Sequence, residues 1–251
     1  METKPYPPIS ILTPTYNRSN FKNLAIFNVM QFDYPKEKIT WEILDDGDKP
    51  FLTKDELNDV IRLIAPRRIK YTYNKSKHLS IGEKRNRLVK GAVNNYIAFM
   101  DDDDIYLATY LKYNIDLMRE HKAGLSCSPQ MAFVFPEDDF SMSFIQCKAK
   151  RQGHEATMVS TKKYIRSMDG FSKNSRGEGA KLVDFSESRV VKSEVKYCMI
   201  CVGHKYNTID KSSFKDAKID AVLPPIYKKI LSDILDLDYE IVEPNHSTSI
   251  E

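Results

Sequence analysis

Two hydrophobic periods alternate along the first hundred residues. Short apolar runs rich in β-branched and aromatic side chains fall at residues 9–13, 40–44, 69–73 and 96–100, a composition that suits buried strands. Between them, apolar residues recur three and four positions apart, the spacing of one helix face. In the first such stretch Phe21, Leu24, Ala25 and Asn28 share a face that Phe27 and Met30 widen, with Ser19 as its expected N-cap and Pro35 as its stop. The second opens at Thr53 with an acidic first turn, Lys54-Asp55-Glu56, ahead of Leu57, Val60, Ile61 and Ile64, and ends at Pro66. A third spans 81–93. This strand–helix alternation predicts an α/β fold with a mostly parallel central sheet flanked by helices.

Beyond residue 104 the pattern loosens. A helix is expected over 105–120, capped by Asp104, then strands over 125–135, 143–149 and 194–202. Pro136-Glu137-Asp138-Asp139 reads as an acidic turn. After a break at Pro224-Pro225, Ile226, Tyr227, Ile230, Leu231, Ile234 and Leu235 form an amphipathic helix expected to pack on the core. Residues 245–251 are expected to be disordered. Their Asn245-His246-Ser247 fits a glycosylation acceptor pattern, which means little without a secretion signal.

Composition adds limits. The chain has 251 residues, 41% hydrophobic and 29% charged, ordinary for a soluble globular protein. A net charge of +3 is too mild to argue for nucleic acid and suits a local basic patch for phosphates. No apolar signal core stands near Met1 and no apolar run reaches membrane-spanning length, so a cytoplasmic protein is expected, at most peripheral to a membrane. The pair Cys198-Met199-Ile200-Cys201 lies in a predicted strand, where residues three apart face opposite ways. No second pair completes a zinc site, so Cys127, Cys147, Cys198 and Cys201 are expected to be free thiols.

The candidate chemistry gathers at strand ends. Tyr96-Ile97-Ala98-Phe99-Met100 runs straight into Asp101-Asp102-Asp103-Asp104. Four adjacent carboxylates repel one another unless a cation sits among them, and an all-oxygen set favours Mg²⁺ or Mn²⁺. A solvated acidic turn is the alternative. Two further polar clusters, 13–17 and 45–48, also end predicted strands, and parallel sheets bind ligands there.

Ordered motifs carry a resemblance. Ile9-Ser10-Ile11-Leu12-Thr13-Pro14-Thr15-Tyr16-Asn17-Arg18, Ile43-Leu44-Asp45-Asp46-Gly47, Gly82-Glu83-Lys84-Arg85-Asn86 and Ala98-Phe99-Met100-Asp101-Asp102-Asp103-Asp104 resemble, in order and spacing, a family 2 glycosyltransferase with the GT-A (Rossmann-like) fold. The resemblance implies one GT-A domain: a nucleotide-sugar-binding half over 1–104, an acceptor-binding half over 105–220, and a C-terminal helix and tail over 221–251. It also implies transfer of a sugar from a nucleotide diphosphate donor, a UDP-sugar, to an acceptor hydroxyl on a glycan, protein or lipid, generally with inversion.

Residue roles follow from that resemblance. Thr13, Pro14, Thr15 and Asn17 wall the nucleobase pocket, where Tyr16 is placed to stack. Asp45 or Asp46 accepts the ring N–H; the alternative is a tight turn with Gly47 at positive φ. Lys84 and Arg85 face the diphosphate. Asp103 lies on the Mn²⁺ or Mg²⁺, with Asp101 or Asp102 near the ribose or a metal-bound water, and Asp101 also a candidate ligand. His204 is the late histidine for metal or diphosphate. The family commonly carries a glutamate-aspartate pair opening a helix under the acceptor. This chain has Glu178 and Gly179, so Glu178 is the expected general base, with Asp184 and Glu187 behind it; a helix-start carboxylate is the alternative. Against the transferase stand a catalytically silent nucleotide-sugar or glycan-binding module and a sugar-1-phosphate nucleotidyltransferase. The latter wants a glycine-rich loop that Thr13-Pro14-Thr15-Tyr16-Asn17 lacks.

Overall fold

The computed structural model describes residues 5–75, 78–147, 151–207 and 210–237. Strands β1 (Ile9–Thr15) and β2 (Ile39–Asp45) are buried throughout, except for the partly buried Pro14. Both therefore read as continuous apolar runs, as strands covered on two faces must. They pair in parallel, and β3 (Arg68–Tyr73) and β4 (Tyr96–Phe99) extend the sheet in parallel on either side. With β6 (Leu125–Cys127), β9 (Val159–Thr161) and β10 (Val190–Lys192) the order is β10-β6-β9-β4-β1-β2-β3, with β9 antiparallel to both its neighbours. Helices α1 (Lys22–Gln31), α2 (Lys54–Ile64) and α3 (Ile81–Gly91) fall between the first four strands.

The chain order reverses at β1, with β2 on one side and β4 on the other. Loops leaving adjacent parallel strands diverge there and open a crevice at the carboxyl ends.

A second, five-stranded sheet runs β12-β8-β7-β11-β5, formed by Lys218–Ile219, Ser141–Gln146, Gln130–Phe135, Met199–Val202 and Ile105–Tyr106 respectively. One hydrophobic core is continuous from Ile11 and Trp41 to Phe133 and Val202. Helix α6 (Pro225–Leu235) buries Tyr227, Leu231 and Leu235 as expected, and the Tyr227 hydroxyl donates to Gln31 Oε1 at 2.7 Å. No helix among the described residues is long and apolar enough to cross a membrane.

Several local expectations change. Thr53 does cap α2, in a reciprocal box with Glu56, but Ser19 makes no capping hydrogen bond. A 3-10 turn, Ser19–Phe21, precedes α1 instead, and Met30 is exposed. Helix α3 stops at Gly91. Asp104 does not cap a helix: Ile105 and Tyr106 pair with β11, and α4 starts at Tyr110. Asn28, in the apolar face of α1, is satisfied by this strand, donating to Asp104 O at 2.8 Å and accepting from Tyr106 N–H at 3.1 Å. The strand expected over 125–135 splits into β6 and β7, one in each sheet. The strand expected over 194–202 begins only at Met199, after a 3-10 turn. Cys127, Cys147, Cys198 and Cys201 are all free. Residues 148–149 of the strand expected over 143–149, and the 245–251 stretch, lie outside the described residues.

Candidate active site

Helix α3 packs against β1 and β2 beside the crevice. Ser80 opens it with a capping box to Glu83, the signature that Thr53 and Glu56 carry and that the sequence reading passed over here. Its first turn accepts close backbone: a Cβ on Gly82 would lie 1.8 Å from the Ser172 carbonyl oxygen, so only glycine fits. The next three side chains each bind a different segment. Lys84 pairs with the buried Asp46 and donates to the Thr15 carbonyl at 2.9 Å. Asn86 donates to the Phe171 carbonyl and accepts from its N–H, at 2.8 and 2.9 Å.

Arg85, between them, is buried with its guanidinium 5.6 and 5.7 Å from the Phe99 and Phe171 ring centres. It holds three carboxylates: Glu178 at 2.7 Å, Asp101 at 3.1 Å and Glu155 at 3.3 Å. Burial first, then the Glu178 charge, pushes the Glu155 carboxyl up to about 7 against the pull of Arg85.

The other half of the aspartate run faces different partners. Asp103 Oδ2 accepts from Arg18 at 2.7 Å and lies 3.3 Å from His204 Nε2. Burial pushes Asp103 up, but the His204 hydrogen bond and the Lys211 and Arg18 charges win and hold it well below the usual range. Burial drives His204 below its ordinary value despite Asp103. Asp104 accepts from the Val202 N–H at 2.8 Å, with Lys211 Nζ at 3.6 Å, and burial pushes it up to about 6. Asp102 is buried beside Thr15; burial and the Asp103 charge push it well up, and its Oδ2 has no hydrogen-bond partner. The repulsion within the run is thus relieved largely by Arg85, Arg18, Lys211 and His204. Of these the sequence reading put only Arg85, at the diphosphate, and His204 in the site.

The run lines a cleft of about 520 Å³ together with Pro14, Thr15, Tyr16, His78 and Lys84. The Tyr16 and His78 rings lie 4.2 Å apart at its rim. Other expected nucleotide contacts are turned elsewhere. Thr13 points into the core, where its hydroxyl accepts from Trp41 Nε1 at 2.9 Å. The Asp45 carboxylate is used by Gly47 N–H, Phe51 N–H and the Tyr71 hydroxyl. Asn17 clasps Asp48 through two hydrogen bonds. Gly47 is not at positive φ; a Cβ there would meet Asn17 N at 2.8 Å, so close packing selects glycine. Asp46 is buried as well: its Oδ2 accepts from the Leu79 N–H at 2.6 Å, with His78 Nδ1 at 3.5 Å, and its Oδ1 pairs with Lys84.

Glu178 opens no helix; it lies in a turn segment, buried against Arg85. Asp184 accepts from the Ser186 N–H, and neither it nor Glu187 joins the Arg85 group. Among the described residues no three His, Cys, Asp or Glu side chains gather as a metal site. The oxygens of Asp103 and the orphaned Asp102 Oδ2 are the donor type a hard cation takes, while both ring nitrogens of His204 have partners, Nδ1 accepting from the Tyr206 N–H at 3.1 Å and Nε2 facing Asp103. Asp101 is drawn to Arg85 instead of to those oxygens.

A crevice at the switch point of a mostly parallel sheet, walled by a strand-end aspartate run, defines the GT-A architecture. The chain belongs to glycosyl transferase family 2, whose model matches residues 10–176. It is 30% identical over 110 residues to the UDP-Glc:alpha-D-GlcNAc-diphosphoundecaprenol beta-1,3-glucosyltransferase WfgD of Escherichia coli, covering 44% of this chain and 40% of that one. Over 141 residues it is 26% identical to the UDP-forming cellulose synthase catalytic subunit of Pseudomonas fluorescens, covering 55% of this chain and 18% of that one. An uncharacterised glycosyltransferase of Rickettsia conorii is 30% identical over 114 residues, 45% of this chain and 17% of that one. The chain thus spans less than half the length of these relatives. Among solved structures, S. aureus TarS 1-349 in complex with UDP-GlcNAc matches 92% of this chain and 68% of its own, at TM-score 0.57 and 15% identity. The Pyrobaculum calidifontis mannosyltransferase in complex with GDP-Man and Mn²⁺ matches 92% and 71%, at TM-score 0.53 and 15% identity.

Proposed function

We propose that this chain transfers a glycosyl group from a nucleoside diphosphate sugar, a UDP-sugar, to an acceptor hydroxyl with inversion. One observation carries this reading: the aspartate run lines a single cleft with Tyr16, His78 and Lys84 at the sheet's switch point. Tyr16 and His78 offer ring faces to a nucleobase, with Lys84 held beside them by Asp46. Lys84, Arg18 and Lys211 supply positive charge along the path of the diphosphate. Asp103 and Asp102 would hold Mn²⁺ or Mg²⁺, which supplies charge neutralisation for the departing diphosphate. The acceptor's proton goes to the carboxylates around Arg85, among which the family resemblance points to Glu178. The acceptor is a glycan, protein or lipid hydroxyl. UDP-sugar use by WfgD and cellulose synthase, as their names state, supports the donor class.

A screen of nucleotide sugars with Mn²⁺ or Mg²⁺ tests this. At a hundredfold excess over Kd, a bound donor adds about 2.7 kcal/mol, a rise in Tm of roughly 5–10 °C for a chain this size. UDP-sugars should give that rise and slow release of UDP. No shift with any nucleotide sugar would sink the reading.

A second reading, a nucleotide-sugar-binding module without turnover, is favoured by Gly179 and by the burial of Glu178 against Arg85. It predicts the same shift with no release of UDP.

A further inference from the structure

Position 179, where the family commonly has an aspartate, carries no side chain, yet the space beside it is filled. A Cβ built on Gly179 would lie 3.1 Å from Cδ and 3.2 Å from Cγ of Glu155, and 3.0 Å from the Phe171 ring. The carboxyl group of Glu155 therefore stands where a side chain at 179 would begin. It arrives from the short 3-10 turn Glu155–Thr157 ahead of β9, and that turn is pinned. The Tyr106 hydroxyl donates to the Ala156 carbonyl at 3.0 Å while accepting from the Asp101 N–H at 3.0 Å. The Thr157 hydroxyl donates to the His154 carbonyl at 2.7 Å.

The two glutamates on Arg85 differ in what they are free to do. Glu178 is 5% exposed and held at 2.7 Å; Glu155 is 18% exposed and held at 3.3 Å. The residue after Glu155, Ala156, lines the cleft.

We propose that Glu155 is the group that takes the acceptor's proton, with Glu178 and Arg85 positioning it; this rests on the glycosyl-transfer reading above. In the step, the Glu155 carboxylate accepts the hydroxyl proton and becomes a carboxylic acid. The acceptor oxygen forms a bond to the anomeric carbon as the bond from that carbon to the diphosphate oxygen breaks, its electron pair leaving with the diphosphate. The charged groups that face Glu155 are Arg85 and Glu178, with Asp101 on the far side of Arg85 and the Gly179 N–H beside it. A carboxyl raised to about 7 is half ionised at neutral pH and close to the proton affinity at which a general base is most effective.

The test uses the full chain, Mn²⁺, the UDP-sugar giving the largest thermal shift, and water as the acceptor. Glu155→Gln should slow hydrolysis about 10²- to 10⁴-fold, leave the donor KM and the thermal shift unchanged, and abolish the acid limb of the rate near pH 7. The double variant Glu155→Ala/Gly179→Asp returns a carboxylate to the same space from the other strand of the chain. It should recover about tenfold or more over Glu155→Ala, with the limb moved to lower pH.

Two readouts need no turnover. Carboxyl ¹³C NMR should show one glutamate titrating near pH 7 that Glu155→Gln removes. Gly179→Asp should lower Tm, and adding Glu155→Ala should recover part of that loss, because the two side chains compete for one volume. A wild-type hydrolysis rate in Glu155→Gln overturns the proposal. So does the absence of that titrating carboxyl in a protein that binds donor without turnover. Failure of the transfer reading itself is distinct, since no nucleotide sugar would then shift wild-type Tm.

Discussion

The two ends of the aspartate run face opposite electrostatic problems. At one end Arg85 alone meets three carboxylates, Asp101, Glu155 and Glu178. At the other, Asp103 and Asp104 meet Arg18, Lys211 and His204. Both ends are buried, so desolvation disfavours ionisation at both. Where cations match carboxylates, Asp103 stays ionised far into the acid range. Where one cation serves three, the least tightly held carboxyl keeps its proton to about 7. The lesson is that a run of like residues can hold a charged anchor, Asp103, at one end and at the other share its cation with a proton acceptor from a different segment, Glu155. Which end does which follows from the count of cations brought in by α3 and by the loops after β1 and β11.

The sharpest way to break this comparison is Arg85→Met. Three carboxylates, Glu178 buried and Asp101 and Glu155 partly so, would lose their cation, and removing one partner of a buried charge group costs about 3–5 kcal/mol. Urea unfolding should show a loss of that size, and a loss below about 1 kcal/mol would mean the three are neutralised in some other way.

On the other side Arg18→Met should cost less, about 1.5–3 kcal/mol for one charge-assisted hydrogen bond, since His204 and Lys211 remain. It also takes one cation from the diphosphate path, so the Tm rise given by Mn²⁺ with UDP should shrink. An unchanged rise would take Arg18 off that path.

Glu155 and Asp103 should contribute pH slopes of opposite sign, with Asp104, raised to about 6, adding to the Glu155 side. Glu155 binds its proton more tightly folded than unfolded, at about 7 against an ordinary 4.5. Its contribution is therefore complete below pH 4.5 and lost as pH rises through 7. Asp103 is depressed, so its contribution is complete above the ordinary 3.8 and lost only in stronger acid. In Tm measured against pH, Glu155→Gln should flatten the decline toward pH 7 and leave the acid side intact.

The smallest effect is a control far from the cleft. Glu56, paired with Lys22 and closing the Thr53 capping box, is lowered to about 2 by the Lys22 hydrogen bond first. Glu56→Gln should cost about 0.5–1 kcal/mol at neutral pH. That difference from wild type should vanish as pH falls from 4.5 through 2.

The first half of the fold was legible because its signals are local. Strands β1, β2 and β4 are largely apolar runs, β3 alternates apolar with polar residues, and the α2 cap is written in four residues, Thr53 to Glu56. The same box at Ser80 was equally readable. The second half misled where pairing is non-local. Ile105-Tyr106 follows an aspartate that looks like an N-cap, yet it forms a strand because β11, almost a hundred residues later, offers an edge.

The site divided the same way. The aspartate run, Tyr16, Lys84 and His204 were found from strand ends and motif order. Arg18, His78, Glu155 and Lys211 were not placed in it, because nothing local distinguishes a cation or carboxylate that will face a cleft from one that will face water. Thr13, Asp45 and Asn17 show the converse: their types suited a nucleotide pocket, but Trp41, Phe51, Tyr71 and Asp48 claim their polar atoms.

The sequence alone determined the α/β alternation, the crevice at the strand ends and the concentration of acid beside it, since periodicity and charge order are properties of neighbouring residues. Only the tertiary structure decided which cation each aspartate meets, and that Glu155 fills the space beside Gly179. Those outcomes depend on distances between segments far apart in the chain, and burial turns small differences in such distances into large differences in proton affinity.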